Sequence, residues 1–159
     1  MSNERNICVT AVDGQTGFLI AELLLTNPDF KTKFSSITGL SLHPTSEKCD
    51  ELVKLGAKII RHSPGRVRDM ALVLKQSEAD TICLIPPTHP DKYDITMELA
   101  DAAKRADIPN VCLISSAGAD MADEKEQPRL REFIHIENAV MDTKGDIGTQ
   151  TGHSPVVIR

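Results

Sequence analysis

At 159 residues the chain is one ordinary domain, long enough to bury a single core. Eighteen Lys and Arg stand against 23 Asp and Glu, a net charge of −5, which leaves no cationic surplus to displace counterions from a nucleic-acid backbone. No apolar run nears membrane-spanning length, the first residues carry no apolar signal core, and Cys8, Cys49, Cys83 and Cys112 lack metal-ligand spacing.

Short apolar runs alternate with longer amphipathic stretches. The first run, 7–12, opens on Ile7-Cys8-Val9-Thr10 and enters a turn at 11–18. A helix over 16–26 follows and stops at Asn27-Pro28. Strand two is expected at 36–42. A helix at 46–55 follows, capped by Thr45 or Ser46 and closed by Gly56. Strands at 57–61, 81–85, 111–115 and 155–159 alternate with helices at 67–76, 91–106 and about 128–143. Several strands are almost wholly apolar, as strands covered on both faces are. Cys8, Cys83 and Cys112 fall in them as small hydrophobes, so a reduced, intracellular protein is expected. Only 122–128 reads as a solvated loop. Six strands alternating with five helices predict an α/β fold, a doubly wound parallel sheet with ligands at the carboxyl ends of its strands.

A strand, a glycine-bearing turn and a helix in succession suit a pyrophosphate, because the first helical N–H groups point at it. Read as G-x-x-G-x-x-G, the second and third glycines are Gly14 and Gly17, and Ala11 replaces the first. Strand two ends on Leu42-His43, with neither the acidic residue of an NAD site nor the Arg of an NADP site. His43 is a candidate contact for a ribose 2′-phosphate and equally a plain turn residue before Pro44. Also expected along the crevice are His62-Ser63-Pro64, Pro86-Pro87-Thr88 and Ser115-Ser116-Ala117-Gly118. The serine run lacks G-x-S-x-G. The five histidines lack H-x-x-x-H or H-E-x-x-H spacing, so no metal site is expected.

In their order, the turn at 11–18, "LIPPTHPDKY" at 84–93, "VCLISSAGAD" at 111–120, "REFIHIENAV" at 131–140 and "GHSPVVIR" at 152–159 resemble the NmrA-like family. These are atypical short-chain dehydrogenases that bind NAD(P), and the resemblance covers nearly the whole chain. It implies a Rossmann fold and a nicotinamide dinucleotide, NADP or NAD, with NADP favoured by the family. Carried over by position, Gly14 and Gly17, with the backbone of Gln15, Thr16 and Phe18, would hold the pyrophosphate. Pro86 and Pro87 would lie near the ribose, and Ser115 and Ser116 near the nicotinamide. His135 stands where many members carry Lys and some His. The departures are Ala11 in place of the usual first glycine, Thr38 and Leu42 where NADP-preferring members often have Arg, and Ser63 where a Gly-Asp pair usually lies near the adenine.

The family contains NAD(P)H-dependent reductases of quinones and small carbonyl or imine substrates. It also contains regulators that sense the dinucleotide through a protein partner without turning it over. Tyr93 is the single tyrosine and Met97 follows it at four residues, so the usual Tyr-x-x-x-Lys proton relay is absent. Solvent can supply the proton for a quinone once the cofactor is placed, with His135 as the candidate assistant. In the family the closing strand leads into a substrate-covering lobe that these 159 residues do not include. The expectations are therefore a cofactor-binding portion with little turnover of its own, an exposed sixth strand and a cytoplasmic or nuclear setting. Neither nucleic acid nor membrane is expected as a partner; a small substrate belongs to a fuller form.

Overall fold

A computed structural model describes residues 5–144 and 152–159. Each apolar run pairs into one parallel sheet: β1 (Arg5–Val9), β2 (Phe34–Ser41), β3 (Lys58–Arg61), β4 (Thr81–Leu84), β5 (Asn110–Ile114) and β6 (Ser154–Ile158). Between them lie α1 (Gln15–Thr26), α2 (Pro28–Lys31), α3 (Glu47–Leu55), α4 (Val67–Gln76), α5 (Lys92–Arg105) and α6 (Pro128–Met141). The strand order is β3-β2-β1-β4-β5-β6. The chain walks outward from β1 to β3, crosses back through α4, and walks out the other way. That reversal leaves a crevice above the carboxyl ends of β1 and β4, where open α/β sheets bind ligands.

Local chemistry sets the element ends. Of the two cap candidates for α3, Ser46 does the capping. Its hydroxyl accepts the Cys49 N–H at 3.3 Å, and Gly56 ends the helix at φ +108°. Asn27-Pro28, expected only to stop α1, also starts the four-residue α2: the Asn27 side chain accepts the Asp29 N–H at 2.8 Å and Pro28 takes the first helical position. The expected loop at 122–128 is solvated except for Ala122, which is buried behind a 3-10 turn at Ala119–Met121. Tyr93 packs against the core, and at the start of α4 Arg66 pairs with Asp69 at 3.5 Å.

The core has two faces. On one, Cys8, Leu40, Ile82, Leu84 and Leu113 meet α4, α5 and α6 through Leu74, Leu99, Ala103, Ile136 and Val140. On the other, Val9, Val12, Ile37 and Cys83 meet α1 and α3 through Ala21 and Leu52. These two helices serve the β1–β3 half. Val156 and Ile158 on β6 remain 52% and 51% exposed, and among the described residues β6 stands last in the strand order.

Candidate functional site at the β1–β4 crevice

The glycine turn is built by two strand ends. β1 stops at Val9, three residues short of the expected 12, because the backbone turns at Ala11, while Thr10 still donates its N–H to the Cys83 carbonyl at 3.0 Å. The buried Thr10 hydroxyl accepts the Ile85 N–H at 2.8 Å and donates to the Ile85 carbonyl at 3.3 Å, tying the end of β1 to that of β4. On the other side the Val12 N–H donates to the Leu40 carbonyl at 3.2 Å. Between these anchors Ala11 takes φ +51°, the left-handed conformation that the usual glycine would adopt without cost. Its carbonyl accepts the Gly14 N–H at 3.0 Å.

Gly17 is packed against that carbonyl. A Cβ there would lie 2.2 Å from the Ala11 oxygen and 2.8 Å from the Thr10 oxygen. Gly39, inside β2, makes a similar close approach. A Cβ on it would meet Ile59 Cδ1 at 2.8 Å and Val12 Cγ2 at 2.9 Å. Gly39 was not among the expected site residues, although a lone glycine inside an apolar strand signals close backbone approach.

The result is a cleft of about 210 Å³ lined by Ala11, Gly14, Gln15, Thr16, Gly17, Ile85, Pro86, Pro87 and Thr88. Phe18 is the first amide to bond back into α1, to the Gly14 carbonyl at 3.1 Å. Helix geometry leaves the Gln15, Thr16 and Gly17 amides without intrahelical acceptors. No acidic side chain occupies the first turn of α1, and Gly14 offers no side-chain cap. The cleft therefore presents donors and the positive end of a helix dipole to an anion. Replacing Ala11 by glycine tests the turn. Relief of about 1–2 kcal/mol of left-handed strain outweighs about 0.4–1 kcal/mol of added unfolded-state entropy. The expected net gain is about 0.5 kcal/mol, a melting temperature one to two degrees higher by calorimetry. A clear drop would show that Ala11 is not strained.

The ends of β2 and β3 flank this cleft. His43 is exposed, and its N–H donates to Ser41 Oγ at 3.0 Å; it does not line the cleft. His62 is buried at 5% exposure, its N–H donates to the Ser41 carbonyl at 2.8 Å, and its Nε2 has no protein partner. Burial lowers its pKa below 6.5, against the opposing pull of Glu98 and Asp13.

At the end of β5 the structure gathers a network that the sequence reading did not assemble. Ser115 Oγ donates to Glu137 Oε1 at 2.5 Å. Glu137, 6% exposed on α6, accepts from Arg159 Nε at 3.0 Å and from its Nη2 at 2.7 Å. The same guanidinium reaches Asp120 at 3.1 Å. His135, two residues away on the same helix, is exposed and is not part of this network; the Ser116 hydroxyl donates to the Ala117 carbonyl at 3.5 Å. Nearer the cleft, Lys92 holds the start of α5 to α6. Its ammonium donates to the Arg129 carbonyl at 2.5 Å, lies 3.5 Å from Glu132 and stands 4.6 Å over the Phe133 ring.

The Arg159 hydrogen bonds hold the Glu137 carboxyl below its ordinary 4.5; burial opposes them, and Ser115 and the Arg159 charge add to them. A depressed carboxyl contributes stability above its unfolded value and loses it as pH falls through the folded one. Thermal stability is therefore expected to weaken below about pH 4.5. Glu137→Gln should be about 1–2 kcal/mol less stable at pH 7 and show a flatter acid limb. An unchanged acid limb would remove Glu137 from the network.

No family model and no curated protein matches the chain. Solved structures do. A triphenylmethane reductase from Citrobacter sp., complexed with NADP(H), superposes with TM-score 0.70 at 20% identity over 87% of this chain and 46% of that one. An NADPH-dependent quinone oxidoreductase from Escherichia coli, complexed with NADPH, gives 0.72 at 21% over 96% and 48%. A wide-type short-chain dehydrogenase/reductase from Veillonella parvula, in complex with NADP, gives 0.69 at 15% over 98% and 68%. The chain spans about half the length of the first two. What the likeness and the strand order establish together is a Rossmann-type α/β fold.

Proposed function

We propose that residues 1–159 form a nicotinamide-dinucleotide-binding unit of an NAD(P)H-dependent reductase acting on a quinone or a small carbonyl or imine substrate. The observation that carries the reading is the β1–β4 cleft. Three α1 amides and a side-chain-free Gly14 face it, and Gly17 is pressed onto the turn too closely for any Cβ. Gly14, Gln15, Thr16, Gly17 and Phe18 would hold the pyrophosphate, with Pro86 and Pro87 against the ribose. His43 and the unpartnered His62 would serve the adenosine end, and Ser115 and Ser116 the nicotinamide end. The dinucleotide supplies the hydride. The NADP(H) in the three similar structures supports the choice of nucleotide.

Calorimetric titration with NADPH, NADP, NADH and NAD tests this. Micromolar binding of at least one is expected, with NADPH no weaker than NADH. A folded sample that binds none would reduce the reading to a scaffold. One observation favours a second reading, a dinucleotide sensor acting through a protein partner. His135 is exposed, apart from the Ser115–Glu137 network, and no Tyr-x-x-x-Lys pair exists. Steady NADPH consumption with a quinone panel favours the reductase; binding without consumption favours the sensor.

A further inference from the structure

We propose that Cys83 and Cys112 form a peroxide-responsive dithiol that closes into a disulfide between β4 and β5. The two are direct register partners in adjacent parallel strands. Register partners point to the same sheet face, and their Cα atoms lie about 4.8 Å apart, inside the ~4.4–6.8 Å range that a disulfide spans. Cys83 belongs to the core face under α1 and α3, so Cys112 shares that face. There the cover runs out: Cys112 is only partly buried, and its own register partner on β6, Val156, is half exposed. Among the described residues, α6 packs on β5 and β6 from the opposite face, and the 3-10 turn at Asp142–Lys144 that follows it also touches β6. A peroxide can therefore reach Cys112, while Cys83 waits buried beside it.

The chemistry of the pair divides the roles. Facing the Cys83 thiol lowers the Cys112 pKa, against the effect of burial. Cys83 is held protonated, first by Cys112 and then by its own burial. Of the two, Cys112 is thus the thiol that ionises first, and the thiolate is the form that attacks. It attacks one peroxide oxygen, the O–O bond breaks, and Cys112 becomes a sulfenic acid as hydroxide or alkoxide leaves. The Cys83 sulfur then attacks the sulfenyl sulfur. The S–S bond forms, the S–O bond breaks, and the departing hydroxide takes the Cys83 proton as water. Two thiols lose two electrons and one hydroperoxide gains them. Cys8 and Cys49 serve as internal controls. Cys8 lies on the opposite face with its pKa pushed up to about 12 by burial, and Cys49 is buried in α3 with its Sγ 3.6 Å from the His43 carbonyl.

This proposal is independent of the nucleotide reading. It is tested on the reduced chain with one equivalent of hydrogen peroxide, followed by alkylation, intact mass and peptide mapping. The expected product has lost two hydrogens, carries a Cys83–Cys112 cross-link, reverts with dithiothreitol, and retains Cys8 and Cys49 as thiols. Cys112→Ala should slow thiol loss at least tenfold, and Cys83→Ala should leave a sulfenic acid that dimedone traps at Cys112. The wild-type map needs no variant to fold. A Cys112 that stays reduced, one that oxidises without linking to Cys83, or a cross-link elsewhere would each overturn the proposal.

Discussion

Replacing Gly17 by alanine is expected to cost about 3 kcal/mol of stability, a melting temperature lower by roughly 6–12 °C for a domain of this size. Position 17 is helical, and alanine ordinarily favours a helix over glycine, so propensity alone predicts the opposite sign. The packing decides. The added methyl would sit 2.2 Å from the Ala11 carbonyl oxygen and 2.7 Å from its carbon, and these are backbone atoms that cannot swing aside. Thr10 and Val12 pin that backbone to Ile85 and Leu40 on either side. Relief therefore requires α1 to lift off the sheet, loosening Val9, Val12 and Ala21 together. Calorimetry of the variant beside wild type measures the effect. A variant as stable as wild type would mean that α1 rides further from β1 than described.

Gly14→Asp is expected to weaken NADPH binding thirtyfold or more while leaving the fold at least as stable. Gly14 has ordinary extended dihedrals, φ −82° and ψ 169°, and a Cβ there meets one atom, the Ala11 oxygen at 3.2 Å. Aspartate is among the best residues for a helix N-cap, so its carboxylate should satisfy α1 amides that are otherwise open and raise stability slightly. Those are the amides proposed to hold the pyrophosphate. The substituted carboxylate takes the donors and repels the phosphate charge, a penalty of about 2–4 kcal/mol at the edge of the protein. Opposite signs for stability and affinity separate a site effect from misfolding. Unchanged affinity in a stable variant would place the nucleotide away from α1, and the function proposed for this cleft would fall with it.

The fold was legible because its signals are local and repeated. Apolar runs such as Thr81–Leu84 and Asn110–Ile114 need no partner to be recognised as buried strands. Ser46, Gly56 and Pro128 mark helix ends by their own backbone chemistry. The glycine turn was legible for the same reason, down to the unusual Ala11. The end of β1 was not, because the chain turns at Ala11 between Thr10, tied to Ile85 75 positions away, and Val12, tied to Leu40.

On α6, spacing could bring His135 and Glu137 to notice without telling which one faces the sheet. Glu137 is buried against Ser115, and His135 is exposed. The same holds for Arg159, which becomes meaningful only once β6 lies beside β5 and delivers its guanidinium to Glu137.

By itself, the sequence determined the order and kind of the elements, the two-sided burial of the sheet and the place of a glycine turn. Each follows from hydrophobic period and from what glycine, proline and the capping residues do to their own backbone. The tertiary structure alone decided which polar groups share a neighbourhood: Thr10 with Ile85, Ser115 with Glu137 and Arg159, Cys83 with Cys112. Those pairings depend on strand register and helix rotation, and both are set by packing between segments far apart in the chain rather than by any residue's local preference.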